Sequence, residues 1–179
     1  QGITNESRWA RGQAWSLYGF TMTYRYTKAE RHLKHAEDIA HYLFVEEDNM
    51  PEDLVPLWDY DVIQYANDTT EMMAMFGAKE AMLPYVEIRD ASSAAIMASA
   101  LYELYWHTKN KFYKKKADKI LESLSSPAYR SEVGENGGFL LMHSTGSVPH
   151  TYRALKKKPN GGNIDVPLNY ADYYFLEAI

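Results

Sequence analysis

The chain has 179 residues, enough for one hydrophobic core, and 46% of them are apolar, which places it with globular rather than disordered sequences. Its net charge of -5 argues against a nucleic-acid footprint, and no apolar run reaches the length that spans a membrane. The absence of cysteine excludes disulfides, thiolate metal sites and cysteine nucleophiles.

The first predicted element is a helix over residues 9–26 that opens on Trp9-Ala10-Arg11-Gly12-Gln13-Ala14-Trp15. Arg11, Trp15, Tyr18 and Met22 are spaced to share one face. A guanidinium among aromatics makes poor core, because desolvating its charge is costly. Two readings are open at this point. The face binds a ligand with a flat apolar ring and an anion, Arg11 taking the carboxylate bidentately. Alternatively, Arg11 snorkels or pairs with a nearby acid and the tryptophans are core.

A second helix is predicted over residues 28–46, with Ala36, Ile39, Ala40 and Leu43 on one face and charges on the other. His32, His35 and His41 lie on the charged side and lack a zinc-type motif, so they read as solvated rather than metal-binding. Asp59 and Asp61 follow in a probable loop, where Asp59 could reach a pocket rim. The connector 62–86 is long, and its run Met72-Met73-Ala74-Met75-Phe76 predicts an extra packed turn or short helix.

A second pair of helices is predicted over 90–107 and 110–125, with Asp90 as an N-cap. It repeats the first pair. At a shift of 81 residues, Tyr24, Thr27, Lys28, Lys34, Ala36, Ile39 and Leu43 meet Tyr105, Thr108, Lys109, Lys115, Ala117, Ile120 and Leu124. The first helix of each pair is apolar nearly all round and the second on one face, a pattern of inner and outer helices stacked as a toroid or solenoid. Beyond them, Gly134–Phe139 reads as a turn into a short extended segment at residues 140–143. The basic run Lys156-Lys157-Lys158 reads as a solvated loop by default, or as an anion-contacting rim.

The run from Gln1-Gly2 through Trp9-Ala10-Arg11-Gly12-Gln13-Ala14-Trp15 resembles the central signature of glycoside hydrolase family 88, the unsaturated glucuronyl hydrolases. Three further blocks resemble that family in the same order: Leu57–Tyr60, Arg89–Ile96 and Ile164–Ala178. The resemblance covers most of the chain and aligns it with roughly the C-terminal half of such an enzyme. It implies an all-α fold, part of an (α/α)6 barrel of about five or six helices, with residues 1–179 as a single partial domain. Half a barrel leaves apolar inner helix faces open, so the missing N-terminal half or a second chain is expected to cover them.

The resemblance also implies a pocket for unsaturated uronic-acid disaccharides. Gln1, Trp9, Arg11 and Trp15 match positions that hold the uronic acid, and His143 lies in a segment similar to the family's substrate loop. Ser144 and Ser147 fit a sulfate-recognition pattern whose lysine position is taken by Pro149. The family's acid–base aspartate and a second essential aspartate have no counterpart here, so no catalytic residue, cofactor or metal is expected in this chain. The competing expectation is a non-catalytic helical-repeat module that binds carbohydrate or protein. The compartment, bacterial periplasm or cytoplasm, is left open.

Overall fold

The computed structural model describes residues 2–46, 50–67, 76–77, 83–154 and 162–179. Two helical hairpins dominate it: α1 (Ala10–Thr27) with α2 (Glu30–His41), and α4 (Ala91–Thr108) with α5 (Lys111–Leu124). The short helices α3 (Val62–Asn67) and α6 (Val148–Ala154) lie in the connections, and α7 (Asn169–Ala178) closes the order. Among the described residues there is no strand, only isolated bridges between loop segments. The predicted repeat boundaries agree with the helices to within a few residues. Most of the run 72–76 and the lysines at 156–158 lie outside the described residues.

The first helix of each hairpin ends in the same way. Lys28 and Lys109 sit in the left-handed region at φ 52° and 59°, and their N–H groups bond Tyr24 O and Tyr105 O. This is the cap that terminates a helix when the next residue must turn back. Asp90 and Asn110 then cap α4 and α5 by accepting from the N–H groups of Ser92 and Phe112. α2 runs on into a wider π-type turn over Tyr42–Glu46 that seats Leu43 and Phe44 in the core.

α4 is the hub. It packs against α1, α5 and α7, and every residue from Ala91 to Leu101 is buried. Ala91, Ala94, Ala95, Ala98 and Ala100 let neighbouring backbones approach closely, while Ile96, Met97, Leu101 and Leu104 fill the layers against Leu17, Leu43, Ile120 and Leu124. The expectation of an inner helix buried on all sides therefore holds for α4 and fails for α1. α1 buries only Ala10, Arg11, Ala14, Leu17 and Thr21. It has α2 and α4 as neighbours, and the aromatic side carrying Trp15 and Tyr18 meets Tyr170, Tyr174 and Glu177 of α7.

Polar ties lock the helices together away from this core. Arg25 on α1 makes a bidentate pair with Glu103 on α4 at 2.7 and 2.6 Å, and Ser99 on α4 donates to Glu177 on α7 at 2.5 Å. A second apolar cluster lies under the connections, where Phe76, Tyr85 and Tyr152 pack edge and face around Trp58. The indole N–H of Trp58 donates to Tyr85 O at 2.8 Å.

Candidate functional site

The four sequence blocks, scattered along the chain, meet at the N-terminal ends of α1 and α4. Backbone bridges pair Trp9 with Asp59 and Leu57 with Arg89, and a third joins Ser144 to Val166. Asp90 binds the blocks together. Its carboxylate accepts from Arg11 Nη1 at 2.8 Å, Ser92 Oγ at 2.5 Å, Ser93 Oγ at 2.8 Å and Thr145 N at 3.2 Å. A carboxylate with no exposure has its hydrogen bonds supplied by these neighbours rather than by water.

Arg11 is therefore paired with an acid, as one of the two open readings required, and it also faces a cavity. The side chain is nearly buried, and Nη1 and Nη2 donate to the carbonyls of Thr145 and Gly146. Of five N–H groups, Nε–H and the second hydrogen of Nη2 have no partner among the described residues. The guanidinium carbon lies 4.8 Å from the ring centroid of Trp9 and 5.5 Å from that of Tyr170, within cation–π reach of both.

The cavity measures about 540 Å³, and Trp9, Arg11, Trp15 and Tyr170 form its aromatic side. Gly146, Ser147, His150 and Asn163 form the other. Trp15 continues into an aromatic cluster, 6.2 Å from Tyr170 and 5.2 Å from Tyr174 between centroids. Burial pushes the Tyr170 phenol up, so it stays a neutral hydrogen-bonding group although Arg11 pulls the other way. No carboxylate is among the described lining residues. The site can hold an anion and a flat ring.

Of the residues picked out from sequence, Trp9, Arg11 and Trp15 are brought together in this cavity. Gln1 lies outside the described residues. His143 is not among the lining residues; its ring Nδ1 bonds Asp165 Oδ1 at 2.7 Å. Asp59 does not reach a rim: it is fully buried, accepting from Ile3 N at 3.0 Å, Ser7 Oγ at 2.7 Å and Asp61 N at 2.9 Å. Ser144 is buried as well and turns no hydroxyl to the cavity side, whereas Ser147 lines it. Tyr170, His150 and Asn163 were missed. Tyr170 was legible, since it falls inside the fourth block; His150 and Asn163 carry no local signal.

An array of inner and outer helices whose N-terminal ends frame such a cavity is a partial α/α toroid. No protein-family model matches the chain. Over all 179 residues it is 40% identical to an unsaturated glucuronyl hydrolase of Formosa agariphila and covers 37% of that protein. It is 28% identical to an unsaturated chondroitin disaccharide hydrolase of Streptococcus pneumoniae, covering 38% of it. Among solved structures, an unsaturated glucuronyl hydrolase specific for heparin superposes with a TM-score of 0.78 at 44% identity, over 99% of this chain and 40% of that one. The enzyme of Bacillus sp. GL1 superposes with a TM-score of 0.72 at 25% identity, over 99% of this chain and 40% of that one. Along its whole length the chain is similar to unsaturated glucuronyl hydrolases, and it spans well under half the length of the relatives it matches.

Proposed function

We propose that this chain is the C-terminal part of a hydrolase that removes unsaturated uronic acids from disaccharides left by glycosaminoglycan lyases. One observation carries the proposal: Arg11, with two N–H groups unmatched among the described residues, is flanked by Trp9 and Tyr170 in the wall of a cavity. A C4=C5 uronate offers the complement, a carboxylate on a half-flattened ring. Arg11 takes the carboxylate and the aromatics take the ring face.

In the reaction carried over from the relatives, an acid delivers a proton to C4 and water adds at C5. The hemiketal so formed opens to a ketone, and the hemiacetal left at C1 expels the neighbouring sugar as an alcohol. The described walls supply binding and orientation and no carboxylic acid, and the carboxylic acid that delivers the proton belongs to the rest of the parent protein. That remainder also covers the open side of α1 and α7, where Tyr26, Tyr173 and Leu176 are more than half exposed. Residues 1–179 act as one partial domain of the resulting barrel.

The test is to follow the ultraviolet absorbance of the conjugated double bond when chondroitin- and heparin-derived unsaturated disaccharides are added. The full-length parent should bleach it and residues 1–179 alone should not. Saturable binding by the parent without bleaching would replace the hydrolase by a carbohydrate-binding module.

A further inference from the structure

His143 and Asp165 lie in two segments that run beside each other below the cavity, and both hold left-handed backbone, at φ 60° and 53°. Neither is glycine, so each position stores strain that its surroundings must offset. Their side chains meet at 2.7 Å across 22 residues of sequence and are about half exposed. An exposed pair of this kind adds little to global stability. What it adds is registration of the segments that carry it.

Those segments build the cradle of Arg11. Between the pair and the cavity, Ser144 and Val166 exchange N–H···O bonds of 3.1 and 2.8 Å, and Gly146 N donates to Asn163 O at 2.6 Å. The first segment continues into the carbonyls of Thr145 and Gly146, which accept from Arg11. The second carries Asn163, a lining residue. His143 O also accepts from Ala91 N at 2.9 Å, which ties the same segment to the start of α4 beside Asp90. A Cβ on Gly146 would sit 2.8 Å from that of Asn163, so the two segments touch with no slack.

We infer that the His143–Asp165 pair is a positioning device: it holds these segments in register so that the Thr145 and Gly146 carbonyls keep Arg11 aimed into the cavity. His143 acts through Asp165 and the backbone, not by touching the ligand. This inference rests on the hydrolase proposal for its substrate, but its geometry can be tested without turnover.

The experiment uses the full-length parent with Asp165→Gly and Asp165→Asn. Glycine keeps the left-handed backbone without strain and removes the carboxylate; asparagine keeps both the backbone and an acceptor for the ring N–H. Asp165→Gly should raise KM for the unsaturated disaccharide about tenfold with kcat within about twofold, the size of one lost hydrogen bond expressed in binding. Asp165→Asn should restore KM, and His143→Ala combined with Asp165→Gly should be no worse than either alone. Amide exchange at Ser144, Gly146 and Val166 should speed up in the glycine variant and not in the asparagine variant. Unchanged KM and unchanged exchange in Asp165→Gly would overturn the inference, as would an additive double variant, which would make His143 a direct contact. If the wild-type parent bleaches no substrate, the hydrolase proposal falls, and the exchange rates still decide the fate of the pair.

Discussion

Arg11 Nη1 lies 2.8 Å from Asp90 Oδ2, joining residues 79 apart in sequence, and neither side chain has appreciable contact with solvent. The pair ties the start of α1 to the start of α4, and the donors around Asp90 satisfy the carboxylate that Arg11 alone could not. Breaking such a pair from one side strands the other charge in a dry environment. Asp90→Ala should therefore cost roughly 3–5 kcal/mol, and Asp90→Asn less, in urea unfolding. A loss below about 1 kcal/mol for the alanine would contradict the burial described here.

Arg11→Lys in the parent is expected to be nearly as damaging to kcat/KM as Arg11→Ala. An ammonium cannot serve two carbonyls, a carboxylate and a ligand from one planar fork. Kinetics of the lysine variant close to wild type would mean that charge alone suffices.

Gly12 explains its own place in the tryptophan–arginine motif. A Cβ there would lie 2.9 Å from the Trp9 ring, which rests on the bare helix backbone. Alanine in a helix interior ordinarily stabilises by about 0.5–1 kcal/mol. Gly12→Ala should instead show little or no gain in Tm, with weaker binding of the disaccharide as the indole is displaced; tryptophan fluorescence would report the shift.

Acid stability should depend on the carboxylate that Arg8 holds. Burial pushes the Asp61 carboxyl up, but the hydrogen bonds and charge of Arg8, at 2.5–2.9 Å, hold it below the usual carboxylate range. Its folded form binds protons less readily than its unfolded form, so its contribution is present above the unfolded value and is lost as pH falls through the lower folded one. Asp59 has the opposite sign, since burial raises it despite its donors. Asp61→Asn should lower stability at neutral pH and flatten the decline toward acid, measured as urea midpoints across the acid range. An unchanged slope would remove Asp61 from the account.

At the alkaline end the tyrosines dominate. Burial first, with nearby carboxylates second, pushes the phenols of Tyr18, Tyr102 and Tyr113 up to about 12, and those of Tyr60 and Tyr129 higher still. Groups whose folded value lies above the unfolded value of 10 keep the native state protonated, so stability is intact below that value and falls as pH rises beyond it. Phenolate absorbance should lag behind that of the urea-unfolded chain and then rise together with loss of helix. A titration identical in both states would refute this.

The helices and the repeat were legible because each rests on local periodicity, whereas the central place of α4 emerges only from the packing. Asp90 could be read as a cap, but its partnership with Arg11 could not, since nothing local joins two residues in different hairpins. The burial of Asp59 was hidden for the same reason: beside the local Asp61 N–H, its donors come from Ile3 and Ser7, which the chain reaches only by folding back. His143 was drawn toward the ligand by its neighbourhood in sequence, whereas the left-handed backbone at 143 and 165 turns it to Asp165. His150 and Asn163 arrive in the cavity wall from segments without any periodic signal.

The hairpins and the cavity make different demands on the order of folding. α1 with α2, and α4 with α5, are neighbours in sequence, so each can close early at small entropic cost. The cradle of Arg11 draws on residues 134 and 135 positions away and has nothing to hold until both hairpins have docked. It should be the last part to assemble and the first to come apart. A weakened variant should accordingly lose the ultraviolet signature of its ordered tryptophans while its helix content is still intact, so a folded-looking circular dichroism spectrum says little about whether the pocket exists.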